Sequence, residues 1–247
     1  MDQIEMLRQS LAGYAEDPAK PHSELITERL PETAAKGATP ARWTVVNEDV
    51  VKTMARLTGH VGVMNFASPT NPGGGVEYGA KAQEESIAKC TYLLPALRQF
   101  QASYYAPNLA RPNRGLFSAA LIYSSRVRQV FNERGERLAD HFVDVVSVAA
   151  PNRAAYPDLT AAETTPDLTL KISQTLRTFK DHGARHLILG AFGCGVFANP
   201  GTQVARLFRE QLLRSEFNGA FSEIVFAIYD PAGHLVSTFE AGLAARQ

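Results

Sequence analysis

Cysteine is nearly missing from this chain. Cys90 and Cys194 are the only two in 247 residues, too few to staple a secreted fold, so a reducing cytoplasm is the expected compartment. Net charge is missing as well, because 25 basic residues cancel 25 acidic ones. A protein that wraps a nucleic-acid backbone is normally basic, so a polyanionic ligand here has to be gripped by a local pocket. No run approaches the roughly 18 apolar residues of a membrane span. The N-terminal stretch Met1 to Lys20 carries four acids and lacks the apolar core and cleavage site of a secretory signal. The six histidines show neither HExxH-like spacing nor a cluster with cysteine, so neither a metal nor another cofactor is expected. There is no internal repeat and no low-complexity tract.

What is present is a triple glycine, Gly73-Gly74-Gly75, followed ten residues on by Gln83-Glu84-Glu85. Consecutive glycines allow positive φ and close approach of main-chain N–H groups to a ligand, typically an anion. The adjacent carboxylates put acid/base chemistry beside that anion. A second glycine-rich loop runs Gly190-Ala191-Phe192-Gly193-Cys194-Gly195. Its G-x-x-G-x-G order is not the dinucleotide fingerprint, and no Lys-Ser/Thr follows to make a P-loop. By itself it reads equally as an anion loop or a tight strand-to-helix turn.

The spacing predicts a helix over residues 4–14, then a loose polar stretch through Pro40 that wraps as an accessory segment (residues 1–40), then one domain over 41–247. Strands are expected at Trp43 to Val46, Val61 to Phe66, His186 to Leu189 and Ile224 to Tyr229. A hairpin is expected over 119–131 and 137–149, turning at Asn132 to Gly135. Helices are expected at 49–57, at 84–94 with a break at Pro95, at 168–182, and from Pro200 to about Leu213, with Asn199 as N-cap and Pro200 in the first helical position. Strands alternating with helices, plus a hairpin, imply an α/β/α sandwich with a mixed sheet. Both glycine loops directly follow a buried strand, so they can face one crevice at the carboxyl ends of the strands.

Glu84 and Glu85 in a first helical turn also suit a solvated pair that complements the helix dipole. Neighbouring helical residues point about 100° apart, so the two cannot flank a sugar on opposite faces as the usual glycosidase pair does. A single acid/base, with the second carboxylate holding sugar hydroxyls, is the arrangement their adjacency favours. Cys194 reads as small-residue packing, because no thiolate-stabilising partner is visible. Phe197 sits where an aromatic can pack against a ribose.

The run Asn65-Phe66-Ala67-Ser68 … Asn71-Pro72-Gly73-Gly74-Gly75, seven intervening residues and Gln83-Glu84-Glu85 resembles the signature of the poly(ADP-ribose) glycohydrolases, specifically the compact microbial type. The stretch Leu189 to Pro200 resembles the diphosphate loop of that family and of macrodomains generally; Tyr123-Ser124 and Ala149 to Asn152 also fall in similar stretches. The likeness spans about residues 40 to 240. It implies a three-layer macrodomain-like sandwich with a cleft for ADP-ribose, and an enzyme that cuts ribose–ribose O-glycosidic bonds, mainly from polymer ends. It implies Glu85 as acid/base and Glu84 on ribose hydroxyls, with Gln83, Gly73, Gly74 and Gly75 as the catalytic loop. It places Gly193, Cys194, Gly195 and Val196 along the pyrophosphate, Phe197 at the distal ribose and Asn71 as a ribose contact. Asp49 lies where macrodomains put an adenine-contacting acid, and equally suits an ordinary helix N-terminus. On this reading the pyrophosphate docks on the N–H groups of both glycine loops, and Glu85 needs a raised pKa, which its neighbouring carboxylate and partial burial supply. The expected partners are poly(ADP-ribose) or an ADP-ribosylated protein as substrate and ADP-ribose as product, for a cytoplasmic monomer. Two alternatives keep the fold: a mono-ADP-ribosyl hydrolase acting on protein or nucleic acid, and a non-catalytic ADP-ribose-binding module.

Overall fold

Strand side chains alternate between two separate cores, and that alternation dictates the layers. The computed structural model describes residues 1–244. In β5 (Phe142–Val148), Val143 and Val145 pack to one side and Val146 and Val148 to the other. In β6 (His186–Leu189), Ile188 opposes Leu187 and Leu189, and in β7 (Glu223–Ala227), Val225 opposes Ile224 and Phe226. Strands buried on both faces need helices on both. The first side is covered by α2 (Val50–Arg56), α3 (Gln83–Cys90) and α4 (Leu93–Arg98), with α1 (Gln3–Glu16) packed on α3. The second is covered by α6 (Ala161–Asp181), α7 (Gly201–Leu212) and α8 (His234–Ala244). The short α5 (Ala106–Ala110) follows a π turn at Gln101–Tyr105.

Four more strands complete a seven-stranded sheet: β1 (His22–Ile26), β2 (Trp43–Val46), β3 (Val61–Phe66) and β4 (Leu121–Arg128). The order is β1-β4-β5-β3-β6-β7-β2. Strands β5, β3, β6, β7 and β2 run parallel, while β4 is antiparallel to β5 and β1 to β4. The expected mixed sheet and the 119–149 hairpin are therefore present. One edge collects the carboxyl ends of five parallel strands and the chain entering β4. No helix among the described residues is long and apolar enough to cross a membrane.

Several local expectations need correction. The stretch before Pro40, expected to wrap loosely, contributes β1, because Ser23 and Glu24 pair with Ser124 and Tyr123. The break expected at Pro95 comes earlier, at Thr91-Tyr92, and Pro95 lies in the first turn of α4, where its missing N–H is no loss. Helix α6 starts at Ala161, seven residues before Leu168. Its N-terminus is a capping box in which Thr160 N–H donates to Glu163 Oε2 at 3.0 Å, and this carries the helix through Pro166. Asn199 is not a helix cap. Its Nδ2 donates to Pro151 O at 2.7 Å and Gly193 O at 3.0 Å, tying two loops together, and Pro200 takes the N-cap position. The last helix, α8, has no counterpart among the expected elements.

Residues 27–39 lie against α6 through a polar network centred on Glu216. The buried carboxylate accepts from Arg177 Nε at 2.9 Å and Arg214 Nε at 2.8 Å, while Lys180 Nζ donates to Glu216 O, to Thr33 Oγ1 and to Ala34 O. Arg177 also reaches Leu30 O. Glu216→Gln leaves two guanidinium groups without their shared counter-charge, so thermal unfolding should show a loss of about 3 kcal/mol, the low end for a broken buried pair. That is a fall of roughly 6–12 °C in Tm for a chain of this size.

Candidate functional site

A cleft of about 720 Å³ opens at the edge where the parallel strands end. Both glycine loops line it, and they do different work.

The first loop spends its N–H groups on the protein itself. Glu84 is 4% exposed; its Oε2 accepts from Ser68 N–H at 2.7 Å, and Asn65 Nδ2 lies 3.3 Å from Oε1. Glu85 is 8% exposed; its Oε1 accepts from Gly75 N–H at 2.9 Å and its Oε2 from Ala82 N–H at 3.1 Å. Gly74 N–H closes a turn onto Asn71 O. The expected anion cradle is thus a cradle for two carboxyl groups. Gly74 has φ +61°, and a Cβ there would stand 2.3 Å from Glu85 Oε1, so only glycine lets the loop cross so near the acid.

Burial pushes the Glu84 carboxyl up to about 8, against the bonds from Ser68 and Asn65 that favour its anion, and the Glu85 charge adds to the rise. The neighbouring carboxyl of the pair, Glu84, is thus itself a raised acid in the floor of the cleft. A folded-state pKa of about 8 against an ordinary 4.5 means that the native protein binds the extra proton throughout that window. The resulting stability is complete below 4.5 and is lost as pH rises through 8. Melts of wild type should decline over this range, and Glu84→Gln, with no proton to lose, should flatten that part of the profile.

Gln83 lines the cleft, but its amide is committed: Oε1 accepts from Phe66 N–H at 2.9 Å and Nε2 donates to Met64 O at 2.8 Å, clamping α3 to the end of β3. Asn71 also lines the cleft and donates its Nδ2 to Gly74 O, leaving its carbonyl oxygen to a ligand. Gly73 is packed against Leu94 behind the wall.

The second loop is the one with donors to offer. Among the described residues, the N–H groups of Gly193, Gly195, Val196 and Phe197 find no protein acceptor, and all four residues line the cleft. Cys194 packs as its residue type suggests and, contrary to what the resemblance implies, does not line the cleft. Its N–H is spent on Ala191 O at 3.0 Å, and its side chain turns into the core, where burial pushes the thiol up to about 12. It offers the ligand neither a donor nor a thiolate. Gly193, at φ +70°, has no room for a Cβ beside Ala150 and Asn199.

At the far end of the cleft, Asp49 caps α2 through Oδ1 to Val51 N–H at 2.7 Å, beside the exposed Tyr229. Tyr229, Lys81 and Phe117 line the cleft and were not foreseen; Asn152, from the family-like stretch Ala149 to Asn152, lines it too, without having been expected as a site residue. The one signal available in sequence was position, since Asn152 and Tyr229 follow buried strands.

Residues 4–133 match the family described as microbial-type PARG, catalytic domain, where PARG is poly(ADP-ribose) glycohydrolase. The chain belongs to the microbial-type poly(ADP-ribose) glycohydrolase family. Comparison with curated proteins returns no sequence match. Among solved structures, the poly(ADP-ribose) glycohydrolase of Thermomonospora curvata is 28% identical, with 97% of this chain and 98% of that chain aligned at a TM-score of 0.85. The same enzyme bound to the inhibitor ADP-HPD aligns over 96% and 98% at 0.82, again with 28% identity. The Deinococcus radiodurans glycohydrolase in complex with ADP-ribose is 30% identical over 96% and 97%, at 0.77. The macrodomain-like three-layer fold of this glycohydrolase-family chain is thus that of structures solved for the family.

Proposed function

We propose that the protein hydrolyses the ribose–ribose O-glycosidic bonds of poly(ADP-ribose), releasing ADP-ribose mainly from polymer ends. The observation that carries this reading is the pairing of a pinned carboxyl, Glu85, with a facing loop of four free N–H groups across one cleft. Those four donors suit a pyrophosphate. Asp49, whose Oδ2 remains free for an exocyclic amine, and Tyr229 suit the adenine at one end. The terminal ribose then lies against Phe197 and over Glu85, which supplies the proximity term.

Protonated Glu85 donates its proton to the departing 2′-oxygen, and the electron pair of the breaking bond to the anomeric carbon goes to that oxygen. The ribose acquires oxocarbenium character, which the adjacent pyrophosphate charge stabilises. Glu85, now a base, takes a proton from the water that attacks the anomeric carbon. Glu84, neutral at pH 7, donates a hydrogen bond to a ribose hydroxyl. The two thiols are unpaired, which supports a reducing, cytoplasmic setting, and we read the protein as a monomer.

The test is release of free ADP-ribose from a polymer-bearing auto-modified protein, with calorimetric ADP-ribose binding alongside. Release with binding is expected. Binding without release from polymer would overturn the assignment in favour of a reader or a mono-ADP-ribosyl hydrolase.

A further inference from the structure

Strand order lays the cleft out as a line. Taken along the sheet, Asp49 follows β2, Tyr229 follows β7, the 190–197 loop follows β6, Glu84 and Glu85 follow β3, Asn152 follows β5, and Phe117 precedes β4. On the function proposed above, one ADP-ribose fills the part from Asp49 to Glu85. The cleft continues past Glu85 to Asn152 and Phe117.

Three cations lie on the segments that carry this part of the cleft. Lys81 lines the cleft and immediately precedes Ala82, whose N–H holds Glu85. Arg153 follows Asn152, and its N–H donates to Phe197 O at 2.9 Å. Arg111 precedes Pro112, whose carbonyl accepts from both Gly115 and Phe117. Among the described residues, none of these three side chains has an acidic or hydrogen-bonding partner, whereas nearby Arg114 and Arg98 are paired with Glu163 at 2.6 Å and Glu77 at 2.8 Å. In a chain with zero net charge, three unpaired cations on the segments around Glu85, Asn152 and Phe117 give those segments a local positive charge.

The loop that carries this end is stiffly held. Asn113, Arg114, Gly115 and Phe117 have φ of 47°, 53°, 84° and 59°, a strained conformation that persists only under constraint. The constraint is the fully buried Lys171, whose Nζ donates to Leu116 O at 2.6 Å and pairs with Asp167 Oδ2 at 2.7 Å.

We propose that Lys81, Arg111 and Arg153 form a cationic subsite for the pyrophosphate of the ADP-ribose unit on the leaving side of the scissile bond. The departing 2′-oxygen belongs to that unit's adenosine ribose, whose 5′ carbon bears the pyrophosphate, so its charge enters the cleft just past Glu85. This is how a neutral protein holds a polyanionic chain.

The experiment compares two substrates: poly(ADP-ribose), and an ADP-ribose glycoside whose leaving group is a small uncharged alcohol. For the triple variant Lys81→Ser, Arg111→Ser, Arg153→Ser, kcat/KM on polymer at low salt should fall ~10-fold, mostly through KM. The salt dependence of that constant should become shallower, by roughly 0.7 in log–log slope per lost phosphate contact. Turnover of the small glycoside and ADP-ribose affinity should both be retained in the double variant Arg111→Ser, Arg153→Ser. The lysine pair Arg111→Lys, Arg153→Lys should restore the polymer value. Equal losses on both substrates, or an unchanged salt slope, would overturn the subsite while leaving the glycohydrolase assignment in place. A wild type that cleaves neither substrate would overturn that assignment, and the subsite with it.

Discussion

Exchange of Glu85 for glutamine is expected to leave ADP-ribose binding intact and to slow release from polymer at least ~100-fold, the low end of general acid–base contributions. Glutamine keeps the length and one carbonyl oxygen, so the bond from Gly75 N–H survives. Its NH2 group then meets Ala82 N–H, donor against donor, and the α3 cap is lost. The structural cost is about 1 kcal/mol, typical of a missing N-cap bond, and Tm falls by only a few degrees. The four free N–H groups of the second loop are untouched, so the nucleotide still binds. What disappears is the proton for the leaving oxygen and the base for water. Single-turnover release and calorimetry on the two proteins check this, and turnover at the wild-type rate would remove Glu85 from the chemistry.

Gly74→Ala should approach the same loss without touching any acid. The new Cβ would stand 2.3 Å from Glu85 Oε1 and 3.0 Å from its Cδ, on a backbone at φ +61°. A left-handed alanine costs about 1–2 kcal/mol, and the clash is relieved when the carboxylate swings off Gly75 N–H. A displacement of about 1 Å at the reacting group can cost ~100-fold. Gly59→Ala separates the two effects, because it imposes a left-handed alanine at φ +87° with His186 no nearer than 3.5 Å. Its Tm should fall like that of Gly74→Ala while turnover stays normal. Equal activity in the two variants would mean that the position of the Glu85 carboxylate does not limit the rate.

The catalytic segment was legible because its chemistry is local. Only glycine tolerates the left-handed backbone that brings Gly74 against Glu85, and the helix expected from Glu84 begins one residue earlier, at Gln83. The central strands were legible for the same kind of reason, since burial on both faces leaves unbroken apolar runs. Strand β1 was not, because His22 to Ile26 holds its place by pairing with β4, about a hundred residues away. Asn199 reads as a helix cap until the fold brings Pro151 within reach of its amide.

The sequence by itself determined the sandwich and the two loops that make the cleft, because each rests on steric rules or periodicity that act over a few residues, and it carried the family through the resemblance of its Asn65 to Glu85 motif. Only the tertiary structure decided which loop has N–H groups to spare and how deeply the Glu84 carboxyl is buried. Hydrogen-bond partners and desolvation belong to neighbours in space. Glu84 is raised by burial beneath a wall assembled from Asn65, Ser68 and Gly73, and no spacing along the chain records how much water that wall excludes.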